Sequence, residues 1–204
     1  MKTRTLLVCL LLAIGGCAKA PPVPTDNFYR LPPPQAGQTL ATPWTGGILL
    51  VRQLRADGVH SDRALLYSDD PQGLLLKRYA YHLWVDPPPK LIQQQLAAYL
   101  RGIGAARMVM TVDDTAPDLI VSGRIIRFER QEEKAGVATH VGLELRLEDG
   151  HGRPLLQKDY HADLPASDAG IMATVNAIDA GLNRIYAEFA GDAAKALSRR
   201  SEAP

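Results

Sequence analysis

Residues 137–164, VATHVGLELRLEDGHGRPLLQKDYHADL, decide the fold. Val137, Thr139, Val141, Leu143, Leu145 and Leu147 alternate with Ala138, His140, Gly142, Glu144, Arg146 and Glu148. A period of two sends one set into a core and the other into water, as in an antiparallel strand covered on one side. Asp149-Gly150-His151-Gly152 has the chemistry of a hairpin turn. The return strand, residues 155–164, carries Leu156, Tyr160, Ala162 and Leu164 as its apolar set. Pairing Val141 with Tyr160 places both sets on one face, whereas a slip of one residue would not.

Downstream, Ile171, Val175, Ile178, Leu182, Ile185 and Phe189 recur at steps of four and three, which predicts one long helix over 168–197. Asp168 is its expected cap, and Arg199 and Arg200 suit the negative end of the dipole. Upstream, residues 107–112 and 119–130 read as strands. Before them Ile92, Leu96, Tyr99 and Ile103 form one apolar helix face, opened by Pro87, Pro88 and Pro89 and ended near Gly102 or Gly104. Further strands are read at 27–31, 47–54, 64–68 and the aromatic run 74–85 (LLLKRYAYHLWV), with a polar Gly/Thr/Pro loop after Pro32-Pro33-Pro34 and a turn at 69–73. The order β-β-β-β-α-β-β-β-β-α predicts a single α+β domain, with a largely antiparallel, mixed sheet and two helices on one face.

The N-terminus has a different character. Met1-Lys2-Thr3-Arg4 is a cationic head, and residues 6–14 (LLVCLLLAI) are apolar throughout. As a helix that run reaches about 14 Å, too short for a bilayer core of about 30 Å. Ile14-Gly15-Gly16-Cys17 fits a bacterial lipobox: a branched apolar residue, two small ones, then the thiol that takes the lipid. The expected organisation is a signal peptide at 1–16, a lipidated Cys17 with a Pro-rich tether at 17–26, and a folded domain at 27–200. Two or three acyl chains on Cys17 would make anchoring effectively permanent. Ala18 is not the Asp that retains such proteins at the inner membrane, which favours the periplasmic face of the outer membrane. Of the two Cys, Cys9 leaves with the leader and Cys17 is taken by lipid, so no disulfide is expected. With Lys+Arg 23 against Asp+Glu 22 and no polybasic stretch, nucleic acid is not an expected partner.

Catalytic patterns are missing from the sequence. There is no Gly-x-Ser-x-Gly elbow and no free Cys after processing. Gly102-Ile103-Gly104 lacks a third glycine and reads as a helix stop. Asp113-Asp114 and Glu132-Glu133 are neighbours whose carboxylates point apart, unsuited to acid–base work. His60, His82 and His151 stand alone, while His140 and His161 fall opposite each other in the register above, near Glu144 and Asp159. Two imidazoles make a poor metal site, so this face is read as solvated polar surface, with no metal and no cofactor beyond the lipid on Cys17. On the aromatic strand, Tyr79 and Tyr81 share one face, and His82 and Trp84 the other. The second face is expected to meet a helix of the domain or another molecule.

The order of these features resembles the auxiliary lipoproteins of ABC-type transport systems, the PqiC-like group. The likeness runs from Phe28-Tyr29-Arg30-Leu31 through Ser61-Asp62-Arg63-Ala64-Leu65-Leu66 to its most specific part, residues 81–100 (YHLWVDPPPKLIQQQLAAYL), and continues through 118–129, the Asp149-Gly150 hairpin and the last helix. It implies a non-catalytic role beside a permease, a cytoplasmic ATPase and a periplasmic MCE-domain protein that move lipid between two membranes. It also implies a homo-oligomer, with partner contacts at Phe28, Tyr29, Tyr81 and Trp84. The competing expectations are a structural or assembly lipoprotein of the outer membrane, and an enzyme built on the His140/His161 face.

Overall fold

The computed structural model describes residues 24–134 and 136–202, the side chains of 201 and 202 apart. The expected signal peptide, lipidated Cys17 and first part of the tether lie outside the described residues. The chain forms β1 (Asn27–Tyr29), β2 (Thr45–Val51), a 3-10 turn (Gly58–Ser61), β3 (Ala64–Ser68), β4 (Lys77–Trp84), α1 (Pro88–Gly102), β5 (Ala106–Met110), β6 (Leu119–Glu133), β7 (Gly136–Asp149), β8 (Pro154–Pro165) and α2 (Ile171–Glu202).

The spine of the sheet is the meander β6-β7-β8, whose long ladders are antiparallel. Along its other edge β6 takes two neighbours in succession. Leu119 to Val121 pair with β2, and Arg130 and Gln131 with β3, both parallel. The sheet therefore forks into an arm β2-β5 and an arm β3-β4-β1. Val51, Val121 and Leu147 are cross-strand neighbours in one row and all 0% exposed, so the β2 arm and the meander share one core face, and Leu65 and Trp84 bring the other arm into the same core. Both helices cover it: α1 lies over β2, β5 and β6, and α2 over β7 and β8. The architecture is α+β in one domain, with a mixed, largely antiparallel sheet of eight strands.

The hairpin keeps the expected faces in a different register. Val141 pairs with Ala162 and Leu143 with Tyr160, two residues from the pairing read from sequence. An even shift preserves which side chains face the core. Its cause is the turn. The Asp149 carboxylate accepts the N–H groups of His151 and Arg153, both at 3.0 Å, and the ladder shifts between Leu147 and Glu148. Leu143, Leu145, Leu147 and Tyr160 are then essentially buried, each worth about 1.5–3 kcal/mol of burial.

Helix α1 starts on its prolines, with the N–H groups of Lys90 and Leu91 bonded to the Pro87 carbonyl. It stops where Gly104 turns left-handed (φ +68), letting Ala105 N–H reach the Leu100 carbonyl at 3.0 Å. Ile92, Leu96, Tyr99 and Ile103 are buried as read, but so are Gln93 and Gln95. The segment after β1, expected to be a polar loop, explains Gln95. It crosses both helices as a strap. Gln95 Nε2 donates to the Pro32 carbonyl, Gln35 N–H donates to Asn183 Oδ1 at 2.7 Å, and Leu40 and Trp44 N–H groups close on the Ile103 and Ala105 carbonyls at 2.8 Å. Gln93 satisfies its own amide on the Val51 and Thr111 carbonyls.

Helix α2 begins later than expected. Asp168 lies ahead of it and accepts the Gly170 N–H at 2.7 Å, while Thr174 N–H bonds the Gly170 carbonyl, so Gly170 holds the cap position. At the other end Arg200 reaches Asp149 at 3.3 Å and ties the helix to the β7–β8 turn.

Candidate functional site

Strand β4 places the aromatic residues. Its ladder with β3 shifts between Ala64 and Leu66, and strict alternation fails across such an irregularity. Tyr79 and His82, expected on opposite faces, meet edge-on at 5.4 Å between ring centroids. They belong to a row in which Tyr67 stacks on Tyr79 at 4.3 Å and His82 meets Tyr29 at 5.7 Å, with a Tyr29 hydroxyl to His82 Nδ1 hydrogen bond of 2.8 Å. Burial pushes the Tyr79 hydroxyl up from its ordinary range.

Trp84, expected as a partner contact, is 1% exposed and packs against Phe128 at 5.3 Å. Its face is covered by the domain itself, which corrects that expectation. Phe28 and Tyr81 are different, at 53% and 43% exposed. The Arg63 guanidinium lies 5.1 Å from the centre of the Phe28 ring and is itself held by an Nε–H bond to the Trp84 carbonyl at 3.0 Å. Among the described residues β1 pairs only with β4, so its outer edge is open. Beside that edge lies a groove of about 650 Å³ lined by Phe28, Tyr29, Arg30, Val85 and Met172, the last 59% exposed. An open strand edge flanked by exposed apolar side chains can take an extended segment of another chain.

The histidine face comes apart. In the observed register His161 lies opposite Gly142, and His140 lies opposite Asp163, bonding it through Nδ1 at 2.5 Å. Glu144 and Asp159 do pair across the ladder, but Arg124 Nε already donates to Glu144 at 3.3 Å. His60 meets Glu129 at 3.4 Å, and Arg127 holds the same carboxylate at 2.6 Å. Burial raises the Glu129 carboxyl, but the hydrogen bonds from His60 and Arg127 outweigh it and leave it lowered. Among the described residues no group of three or more His, Cys, Asp or Glu is placed to hold a metal ion. Of the adjacent carboxylates, Asp113 pairs with Arg52 and Glu132 with Arg130.

One buried group escaped the sequence reading. Asp179 on α2 is 7% exposed, its Oδ1 has no hydrogen-bond partner, and burial pushes its carboxyl up to about 6. Only its place in the step pattern, next to Ile178 on the apolar side, hints at this. Asp149 goes the opposite way, held at about 2 chiefly by the Arg153 backbone N–H.

No curated protein matches the chain. Among solved structures, a protein of the DUF330 family from Xanthomonas campestris superposes with a TM-score of 0.73 at 18% identity, covering 87% of this chain and 100% of that one. A second crystal structure, of an uncharacterized protein, gives 0.67 at 16% identity, covering 83% and 99%. At these identities the likeness is one of fold. The family pattern described as "ABC-type transport auxiliary lipoprotein component" matches residues 29–190, which begin at the last residue of β1 and include β2 to β8, α1 and most of α2. The chain belongs to that family, the auxiliary lipoprotein components of ABC-type transport systems.

Proposed function

We propose that this protein is a lipid-anchored docking component of a transport system that moves lipid between the inner and outer membranes. Cys17 carries the lipid and seats the chain in the outer membrane, facing the periplasm. The folded domain then engages the periplasmic MCE-domain protein that works with the system's permease and ATPase, and does so as a homo-oligomer. The role is to bind and hold, not to catalyse.

The observation that carries this reading is the open β1 edge with Phe28 and Tyr81 exposed beside it, in a chain whose family is made of transport auxiliaries. Exposed aromatic residues of this kind serve as anchors at protein contacts, where a few large side chains dominate binding. Among the described residues His82, His60 and His140 are hydrogen-bonded to Tyr29, Glu129 and Asp163, on three separate parts of the sheet.

The test is purification of the full-length protein from detergent-solubilised membranes, with mass spectrometry of its processed N-terminus. The expected result is an acylated start at Cys17 and an MCE-domain protein recovered with it in stable proportion. Recovery of an unmodified N-terminus, or of the lipidated protein without any MCE-domain partner, contradicts the reading.

A further inference from the structure

The face of the sheet opposite the helices carries a second built feature. After β2 the chain stays docked on β6: Arg52 N–H bonds the Val121 carbonyl at 2.8 Å, Arg55 N–H bonds the Gly123 carbonyl at 2.9 Å, and Ile125 N–H bonds the Arg55 carbonyl at 2.8 Å. Those bonds fix the stem of Arg55 at the wall of a cavity of about 350 Å³. Ser122 and Gly123 of β6 line it, and Arg146 and Gln157 form the wall across β7 and β8. Gly123 contributes only backbone to this lining, and β6 lies so close to β7 there that a Cβ on Gly123 would sit 2.1 Å from the Glu144 carbonyl oxygen.

Charge decides what the cavity can hold. Two carboxylates also line it, Glu144 and Glu148, and both are already engaged, by Arg124 at 3.3 Å and by Arg146 at 3.2 Å. Arg146 is further steadied by a 3.1 Å Nε–H bond to Gln157, which leaves part of its fork of donors unused. Arg52 also lines the cavity, but its guanidinium is paired at 3.2 Å with Asp113, which does not. Arg55 makes no side-chain hydrogen bond or ion pair among the described residues. The cavity thus presents one uncommitted guanidinium, a second held in place with donors to spare, a hydroxyl at Ser122 and an adaptable amide at Gln53. Planar guanidinium groups held in fixed geometry match the oxygens of phosphate.

We propose that this cavity binds a phosphate group, with Arg55 and Arg146 as the charged donors and Ser122 as a hydroxyl donor. Free phosphate and the phosphodiester of a phospholipid headgroup share that chemistry. The site stands on the opposite side of the sheet from the helices and does not depend on the transport reading, so either can fail alone.

The experiment is an NMR titration of backbone amides in the full-length protein held in a non-ionic detergent. The probes are inorganic phosphate, dihexanoyl phosphatidylglycerol below its micelle-forming concentration, and chloride as an ionic-strength control. Saturable shifts at Arg55, Ser122 and Gly123 are expected with at least one phosphate probe and not with chloride. Arg55→Gln and Arg146→Gln should each weaken them by about tenfold, the loss of one charge-assisted contact. Arg55→Gln removes no side-chain hydrogen bond or ion pair among the described residues, so its effect reads the site and not the fold. Saturation by inorganic phosphate alone assigns the free ion as ligand, saturation by the lipid alone assigns the headgroup, and either supports the proposal. Shifts that never saturate, that chloride reproduces, or that survive both substitutions overturn it.

Discussion

Asp179 is where a single residue works against the fold. In the unfolded chain its carboxyl titrates near 3.8, and burial in the folded protein raises it to about 6. The folded state therefore holds this proton more tightly. Below 3.8 both states are protonated and burial carries no ionic penalty; as pH rises from there toward 6 stability is lost, and above 6 the full penalty applies. Asp179→Asn keeps an acceptor for the Asn183 amide, which now donates to Oδ2 at 3.1 Å, and removes the charge. It should stabilise the protein at about pH 7 by up to about 3 kcal/mol and have little effect at about pH 3.5. Urea unfolding of both proteins at the two pH values checks this, and an equal effect at both would show that charge is not the cause. The contrast with Trp84 shows what a sequence discloses at this scale. Alternation correctly sends Val141, Leu143 and Leu145 inward because the β7–β8 ladder is regular there and the irregularity opposite them, between Ile125 and Arg127, falls on β6. It misassigns Tyr79 against His82 because an irregularity in the β3–β4 ladder carries no residue signature. Trp84 reads as a contact for a different reason: a large side chain gives no sign of whether Phe128 or another molecule covers it.

Elements are more legible than registers. The period of two in β7 and β8, the three-four steps of both α-helices and short apolar or aromatic runs elsewhere give the eight strands and two α-helices in order, whereas the 3-10 turn at Gly58–Ser61 leaves no such pattern. The pairing of β7 with β8 is set by the Asp149 carboxylate folding back on its own turn, a hydrogen bond that periodicity does not reveal. The same ladders predict how two glycines behave. Gly123→Ala drives a Cβ to 2.1 Å from the Glu144 carbonyl, a backbone atom that cannot step aside without parting β6 from β7. A loss of about 1–3 kcal/mol is expected. Gly191, inside α2, has nothing within 4 Å of the same added carbon, so Gly191→Ala should stabilise by about 0.5–1 kcal/mol through helix propensity alone. Thermal unfolding of the pair checks both signs; a stable Gly123→Ala protein would contradict the close approach of the two strands.

On the scale of the whole molecule, the strap after β1 is the part least visible in the sequence. Its prolines and polar residues read as a loop, and only Leu31, Leu40 and Trp44 hint that it packs on the core. That packing matters for function, because the strap carries the chain from the domain body to β1 and onward to the expected anchor at Cys17. It leaves β1 on the outside of the sheet, with Phe28 exposed and the groove beside Met172 open. Of the four residues expected as partner contacts, Phe28 and Tyr81 are exposed, Tyr29 is half-buried and Trp84 is buried. Phe28, Tyr29 and Tyr81 lie on or beside that edge, and Trp84 lies beneath it. The central claim, that this edge is where the transport partner docks, is tested most directly by photo-crosslinking in intact cells. A benzophenone amino acid replaces Phe28 in one strain and Asp159, on the far polar face, in another. The expected result is a covalent adduct with an MCE-domain protein from position 28 and none from position 159; no adduct from position 28, or equal adducts from both, would contradict it.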